Sequence, residues 1–225
     1  MNIDKKYYQE INENLTNTIQ DTNISAPNKK VGKVRDAYFL NDKVVMISTD
    51  RQSAFDRVLA AIPYKGAVLN SVSAWWFKKT EHLFPNHLIS TPDPNVSIVE
   101  KCTVFPVEFV VRGYITGTTD TSLWTVYNNG DREYCGNSLP EGLKKNDRLD
   151  KPMLTPTTKD KVHDRPVSRE EIIDLGLMSA EDYDLAAKMS LDLFAFGQET
   201  AKKNGLILVD TKYEIGTDSK GKIKF

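Results

Sequence analysis

The stretch that decides the fold is GLILVDTKYEIG, from Gly205 to Gly216. Its apolar residues 206–209 predict that a buried strand begins here, with Leu206 and Leu208 running into the core. Asp210, Lys212 and Glu214 follow at alternate positions, so on a strand their side chains share one face. Periodicity leaves two interpretations open. The face is either the solvated side of an edge strand, or a polar site whose carboxylates hold a metal ion beside phosphate.

The composition is that of an ordinary globular protein, with 225 residues, 40% of them hydrophobic and 27% charged. The 30 basic and 31 acidic residues almost cancel, which argues against a general nucleic-acid binder or a membrane-surface protein. The N-terminal residues lack the apolar region of a signal peptide, and no apolar run approaches the ~20 residues that span a bilayer. Cys102 and Cys135 form neither a disulfide framework nor a zinc site, which indicates free thiols in a reducing cytoplasm.

The predicted elements are not regularly interleaved. A weak helix is expected around residues 7–19. Strands are expected over residues 31–39 and 43–49, joined by the turn Leu40-Asn41-Asp42. A helix over 71–84 precedes one or two strands over 102–114, where Pro106 predicts a break or an edge.

The C-terminal half is predicted to begin with a long irregular segment, residues 136–167, of a kind that is functional or disordered. Ser168 and Glu171 predict a capping box for a short helix that stops at Gly176. Ser179 then caps a helix that runs to about Asn204, with Tyr183, Ala187, Leu191 and Phe194 on its core face. Strands, helix, strands, loop, helices and strand in this order predict an α+β fold.

The first candidate for chemistry is GKVRDAY, residues 32–38. On a strand Lys33 and Arg35 share a face, and Gly32 lets the backbone approach a ligand. Glycine amides beside two cations suit phosphate. An ordinary hairpin edge is the alternative, because single glycines mark turns in most proteins.

A second candidate, STDRQSAFDR (residues 48–57), places Ser53 and Asp56 directly after a strand, where loops often carry function; a solvated turn is the alternative. In PVEFVVRGYITGTT (106–119), Glu108 and Arg112 share a face of an otherwise apolar strand, and isolated buried ions are costly. They pair with each other or with a bound ligand. Arginine beside the hydroxyl of Thr118 and nearby glycine amides suits a carboxylate or phosphate. The loop with Lys159 suits phosphates as well.

These motifs, with LTPTTK and the terminal GLILVDTKYEIG, occur in the order and spacing of SAICAR synthetase, and the chain resembles this family over roughly residues 30–225. The resemblance implies an ATP-dependent ligase of purine biosynthesis, which joins L-aspartate to the carboxylate of carboxyaminoimidazole ribonucleotide. It implies an α+β fold with two lobes. Residues 1–105 form an N-terminal antiparallel β lobe whose hairpin covers ATP, and residues 106–225 form a larger α/β substrate lobe.

The resemblance also implies roles for individual residues, with ATP and Mg²⁺ as cofactors. The ATP-binding positions are Gly32, Lys33, Arg35, Lys101, Val104, Glu108, Lys159 and Lys212. The catalytic positions are Ser53, Asp56, Asp210 and Lys212. The substrate-binding positions are Arg112, Thr118 and Asp210, and Glu214 is a magnesium ligand.

Members of the family continue beyond a position like Phe225 into an acidic turn and further helices. That segment would supply a second magnesium-binding acid and an arginine for the substrate phosphate. The alternative function is therefore a shortened, non-catalytic ATP-binding relative. A small-molecule kinase with a similar hairpin is a third possibility. The expected partners are small molecules only, with the oligomeric state left open.

Overall fold

A computed structural model of the chain describes residues 5–54, 57–159 and 164–225. They divide into two compact units. Unit 1 consists of Met1–His82 and Asn86–Cys102, and unit 2 consists of Leu83–Pro85 and Thr103–Phe225. Helices and antiparallel sheets occur in both units, which confirms the α+β class. No helix in the described ranges has both the length and the apolar character needed to cross a bilayer.

Unit 1 is built on a five-stranded antiparallel sheet in the order β1-β2-β3-β7-β6, with a separate hairpin β4-β5. Its elements are α1 (Lys5–Glu13), β1 (Lys29–Val31), β2 (Arg35–Phe39), β3 (Lys43–Ser48), β4 (Arg51–Ala54), β5 (Arg57–Ala61), α2 (Lys65–Thr80), β6 (Leu88–Asp93) and β7 (Val96–Glu100). The predicted turn at residues 40–42 is confirmed, because β2 and β3 pair antiparallel across it.

The strand predicted over residues 31–39 is wrong in one respect. It is split by a turn at residues 32–34, so β1 folds back on β2. The Gly32 amide closes this turn by donating to the Arg35 carbonyl at 2.7 Å. Lys33 therefore lies in the turn and does not share a strand face with Arg35.

Helix α2 begins six residues earlier than the sequence predicts, and it ends at Thr80. Its first turn approaches the sheet closely. A Cβ on Gly66 would lie 2.3 Å from the Ser48 carbonyl oxygen, so only glycine fits there. The Gly66 amide donates to the buried Asp50 carboxylate at 2.9 Å, which anchors the start of the helix to the end of β3.

Unit 2 contains a five-stranded sheet in which β11, β8, β13 and β14 follow one another and β12 also pairs with β8. Its elements are β8 (Thr103–Tyr114), α3 (Leu123–Asn128), β9 (Glu133–Tyr134), β10 (Asn137–Ser138), β11 (Arg148–Leu154), β12 (Thr157–Thr158), α4 (Arg169–Asp174), α5 (Ala180–Lys203), β13 (Asp210–Thr217) and β14 (Ile223–Lys224). Helices α4 and α5 pack on this sheet through a core that includes Phe109, Ile172, Met189 and Ile215.

Two predictions for unit 2 are corrected. The segment 136–167 is not a long irregular loop, since it contributes β11 and β12 to the sheet. Strand β8 runs unbroken through Pro106. The register against β13 shifts between Glu214 and Gly216, so the proline lies at a bulge, where the ladder tolerates a missing donor.

The boundaries of α4 and α5 were predicted well. The Ser168–Glu171 capping box is present, and Ser179 accepts from the Asp182 amide at the start of α5. Gly176 and Gly205 both have positive φ, as residues that end helices commonly do. Of the predicted core face of α5, Tyr183 and Phe194 are buried, whereas residues 187 and 191 are half-buried at its margin.

The prediction that residues 206–209 form a buried strand is wrong. These residues are irregular, and Leu206 and Ile207 are 65% and 70% exposed. The register pairs Asp210 with Arg112, so Tyr114, the last residue of β8, lies opposite Leu208. Leu206 and Ile207 lie beyond the end of β8, so this strand offers them no partner. The strand therefore begins at Asp210.

Candidate active site

The exposed face of β13 carries the three charged residues that the alternation predicted. Asp210, Lys212 and Glu214 are exposed, whereas Tyr213 and Ile215 on the opposite face contribute to the core. The antiparallel register sets Glu214 directly opposite Glu108 of β8, and Asp210 opposite Arg112. Two glutamates thus face each other across neighbouring strands.

Like charges that lie directly opposite on a sheet are destabilising, and here two ammonium groups compensate. Lys212 Nζ lies 2.7 Å from Glu108 Oε2. Lys159 Nζ lies 2.8 Å from Glu214 Oε1 and 3.9 Å from Glu108 Oε1. We call Glu108, Lys159, Lys212 and Glu214 the carboxylate–lysine cluster.

Strand β12 brings Lys159 to this cluster. Thr157 pairs with Glu108, and Thr158 pairs with Val107. The Lys159 amide then donates to the Pro106 carbonyl at 3.1 Å. The threonine-rich segment, which looked like a loop from the sequence, is therefore held against β8 by backbone pairing.

The two glutamates differ in exposure. The Glu108 side chain is 8% exposed and that of Glu214 is 51% exposed. Partial burial opposes ionisation of Glu214, but the adjacent Lys159 ammonium outweighs it and holds the pKa of Glu214 below its ordinary value. The cluster therefore presents ionised carboxylate oxygen with one side open to solvent.

Further along the same strands, Arg112 is positioned by Thr155, a residue of the threonine-rich candidate segment. Its Nε donates to Thr155 Oγ1 at 2.9 Å, and Nη1 lies 4.0 Å from Asp210 Oδ2. Thr155 is buried, and its amide donates to the Val110 carbonyl at 2.8 Å. The position of Thr155 in the LTPTTK motif indicated a functional residue, but the sequence could not show that its hydrogen-bond partner is Arg112.

The facing glutamates fit a magnesium ion. No group of three or more His, Cys, Asp or Glu side chains in the described residues could hold a metal. Magnesium does not require such a group, because it commonly takes one or two carboxylates, several waters and substrate phosphates. Glu108 and Glu214 could supply the carboxylates, and the two lysines could supply positive charge for phosphate.

In unit 1, Gly32 and Lys33 lie in the β1–β2 turn, and Arg35 is the first residue of β2. Arg35 lines a cavity of about 240 Å³ between the sheet and α2. The Asn70 carboxamide in its wall accepts from Ser97 Oγ at 2.7 Å and donates to the Pro94 carbonyl at 2.9 Å. This cavity combines a cation with a hydrogen-bonded polar wall.

The other residues predicted for the site lie at different positions in the two units. Ser53 is half-buried on β4, and Asp56 falls outside the described residues. Lys101 is exposed and follows β7, with its amide bonded to the Asp42 carbonyl at 3.0 Å. Val104 is exposed near the start of β8, and Thr118 is exposed in the loop after it.

A sheet with a basic glycine turn and a second sheet with facing carboxylates define an α+β protein suited to polyanions and a divalent cation. A family model described as SAICAR synthetase matches residues 28–225. The chain belongs to the SAICAR synthetase family.

Among curated proteins, the chain is 57% identical over 205 residues to a phosphoribosylaminoimidazole-succinocarboxamide synthase of Legionella pneumophila strain Lens. The match covers 91% of this chain and 66% of that protein, so the chain spans just under two thirds of the relative's length.

Two solved structures share the fold. The SAICAR synthase of Saccharomyces cerevisiae, complexed with SAICAR, matches with a TM-score of 0.78 and 30% identity, covering 92% of this chain and 74% of that one. A type-2 SAICAR synthetase in complex with ADP matches with a TM-score of 0.72 and 26% identity, covering 88% and 78%.

Proposed function

We propose that the chain carries the ligase activity of its family: ATP-dependent joining of L-aspartate to the carboxylate of carboxyaminoimidazole ribonucleotide, giving SAICAR, ADP and phosphate. The observation that carries the proposal is the carboxylate–lysine cluster. It combines two facing glutamates with two lysines on one sheet face, as a phosphate-bound divalent ion requires. The SAICAR and ADP complexes of the two structural neighbours support it.

The chemistry explains why such a site is needed. A carboxylate is a poor electrophile because oxide is a poor leaving group. Transfer of the γ-phosphoryl group of ATP to a carboxylate oxygen makes an acyl phosphate and releases ADP. The aspartate amine then forms the new C–N bond, phosphate leaves with that oxygen, and the amine loses a proton. The protein mainly positions the reactants and neutralises charge.

In unit 2, Glu108 and Glu214 would hold magnesium, which when bound neutralises phosphate charge. Lys159 and Lys212 are placed to offer their ammonium groups to phosphate oxygens once these replace the glutamates as partners. Because the lysines already balance the glutamates, the cluster can accept a magnesium–phosphate unit with little change in net charge.

The other end of the strand pair is proposed to bind the ribonucleotide. Arg112 has a planar donor fork that suits phosphate, and Thr155 fixes its Nε. We assign Asp210 and Thr118 to the substrates, and Ser53 and Asp56 to the reacting carboxylate and aspartate.

The remaining ATP contacts are proposed from the family pattern. In unit 1 they are made by Gly32, Lys33, Arg35 and Lys101. In unit 2, Val104 contacts the nucleotide together with the cluster. We also propose a cytoplasmic location, which is supported by two cysteines, Cys102 and Cys135, that form no disulfide.

The test is product formation by the purified chain with ATP, magnesium chloride, L-aspartate and the ribonucleotide. SAICAR and ADP are expected in equal amounts, with neither formed when aspartate or magnesium is omitted. Nucleotide binding without SAICAR would contradict the ligase assignment and favour a non-catalytic ATP-binding protein. ADP release without aspartate would favour a kinase.

A further inference from the structure

The β1–β2 turn, residues 32–35, is held in place by hydrogen bonds to its four carbonyl groups. Arg51 Nη2 donates to the Gly32 carbonyl at 3.0 Å, and Arg51 Nε donates to the Lys33 carbonyl at 3.1 Å. Thr49 donates to the Val34 carbonyl through both its amide, at 3.0 Å, and its hydroxyl, at 2.8 Å. The Arg35 carbonyl accepts from the Gly32 amide. All four carbonyl oxygens of the turn are therefore bonded within unit 1.

This arrangement sets the direction of the amides. The described residues contain no cis peptide bond. In a trans peptide the C=O of one residue and the N–H of the next point in opposite directions. The N–H groups of Lys33 and Val34 therefore point away from the Arg51 guanidinium group, and the N–H of Arg35 points away from Thr49. Two successive amides that point to one side, as those of Lys33 and Val34 do, form a concave site that favours anions.

Arg51 itself is fixed by a buried network. Its Nη2 lies 2.7 Å from Asp36 Oδ1, and the two side chains are 9% and 0% exposed. Its Nη1 donates to the Gln20 carbonyl. Three carbonyls and one carboxylate thus take donors from a single guanidinium group, and only a planar fork with several donors can serve them together.

Residues 18–22, which we call the N-terminal strap, complete the network. Thr22 Oγ1 donates to Asp36 Oδ2 at 2.6 Å. The Ile19 amide donates to Asp50 Oδ2 at 2.8 Å, and the Asp50 amide donates to the Ile19 carbonyl at 2.8 Å. The strap lies before residue 28, where the match to the family model begins.

A buried ion pair adds little net stability, because desolvating two charges offsets their attraction. What it does supply is a fixed geometry. Burial disfavours the charged form of Asp36, yet the bonds from Thr22, Arg51 and Lys29 outweigh this and lower its pKa. The pair is thus ionised at neutral pH, and Arg51 holds the turn on the side of its carbonyl groups.

We propose that Arg51 is a positioning residue for nucleotide binding. Supported by Asp36 and the N-terminal strap, it holds the carbonyls of Gly32 and Lys33 so that the amides of the turn face the nucleotide phosphates. This inference rests on the proposed ATP-dependent function. It assigns to Arg51 no contact with substrate.

The test compares three variants with the wild-type chain. Arg51→Lys keeps the charge but cannot serve all four acceptors. Thr22→Val removes the bonds of the Thr22 hydroxyl to Asp36 and to the Tyr38 hydroxyl with little change in shape. Gln20→Ala is the matched control, because Arg51 uses only the backbone carbonyl of Gln20. Calorimetry gives the Kd of Mg·ATP. Hydrogen exchange at the Gly32 and Thr49 amides, both bonded to carbonyls of the turn, reports its rigidity.

Arg51→Lys is expected to raise the Kd of Mg·ATP by on the order of 10- to 100-fold and to speed exchange at both amides. Thr22→Val should change both quantities in the same direction by a smaller factor, and Gln20→Ala should leave them within about twofold. In turnover assays the KM for ATP should rise while the KM for aspartate stays near the wild-type value. If Arg51→Lys does not fold, Thr22→Val carries the test.

An unchanged Kd and unchanged exchange in the folded variants would overturn the inference. Equal increases in KM for ATP and aspartate would also overturn it, because they indicate a general structural role. If the proposed ligase function is wrong but the role of Arg51 is right, the result is different. In that case the wild-type chain forms no SAICAR, while Arg51→Lys still weakens Mg·ATP binding and loosens the turn.

Discussion

The two ionic networks of the molecule are built in opposite ways. In unit 1, Asp36 and Arg51 are buried, and four donor bonds of the guanidinium group go to fixed acceptors. In unit 2, Glu214 is half exposed, and Lys159 reaches both Glu214 and the less exposed Glu108. The central pair of the first network is buried, although its partner Lys29 reaches solvent, whereas the second network presents a carboxylate and both its lysines to solvent.

This difference separates positioning from binding. A saturated buried pair cannot exchange partners without leaving a charge desolvated, so it holds one geometry. In a partly exposed cluster, a carboxylate can exchange its lysine partner for a metal ion, and a lysine can exchange its carboxylate partner for a phosphate. Water solvates the groups that are released. We therefore expect substitutions in the first network to change stability and, through the geometry of the turn, the affinity for ATP, and substitutions in the second to change turnover directly.

The largest expected effect is the loss of turnover in Glu214→Gln. Removing one carboxylate from the facing pair should lower kcat by on the order of 10²- to 10³-fold. The thermal unfolding midpoint should stay near that of the wild type, since Glu214 is half exposed. Titration of magnesium in a SAICAR assay checks this, with Glu199→Gln on the exposed surface of α5 as the control. A variant that fails to fold would assign Glu214 a structural role and contradict the difference between the two networks.

The complementary change is Asp36→Asn in unit 1. It leaves the Arg51 charge without its carboxylate partner, so the free energy of unfolding should fall by about 3 kcal/mol. Denaturant unfolding at pH 7 measures the loss. An unchanged free energy of unfolding would mean that this network can relax as easily as the one in unit 2.

The pH dependence of stability sharpens the same point. The pKa of Asp36 in the folded protein lies below its ordinary value of 3.8, so the unfolded chain binds this proton more readily. The contribution of Asp36 is fully present above about pH 4 and is lost as the pH falls through the folded-state pKa. Asp36→Asn should show a shallower loss of stability in acid than the wild type, and parallel curves would contradict this.

A smaller effect is expected for Arg112→Ala. The KM for the ribonucleotide should rise by about tenfold, because the substitution removes an arginine contact to the phosphate of the ribonucleotide. The KM for ATP should change less. Steady-state kinetics with each substrate varied in turn measures both constants. Arg132→Ala, which removes a partly exposed arginine bonded to Glu141 and to the Tyr127 carbonyl, is the control. Equal changes in both constants would contradict the placement of Arg112.

The smallest effect is a change in the pKa of Glu214 itself. Partial burial opposes its ionisation, and Lys159 is the main group that lowers its pKa. Lys159→Met should therefore raise the pKa of Glu214, as measured by carboxyl NMR titration in the absence of nucleotide. A titration that does not move would show that Lys212 or solvent compensates, and that Lys159 is not the exchangeable partner.

Much of the secondary structure follows from local rules. The capping box at Ser168, the N-cap at Ser179 and the stops at Gly176 and Gly205 were all predictable, because they depend on residues within a few positions of one another. The charged face of β13 was predictable for the same reason, since side chains alternate on any strand.

Errors arose where a residue depends on a distant partner. Leu206 and Ile207 have the composition of a strand, but β8 ends before it could pair with them. Pro106 was expected to mark a break or an edge, yet a bulge in the register with β13 accommodates it.

The sequence by itself determined the family, the α+β class and most of the residues that carry charge at the candidate site. Short-range geometry and the order of motifs are encoded in neighbouring residues, so both can be recognised along the chain. Only the tertiary structure decided which charges meet. Glu108 and Lys212 are 104 positions apart and Arg112 and Thr155 are 43 apart, and pairing at such separations is set by strand register and packing.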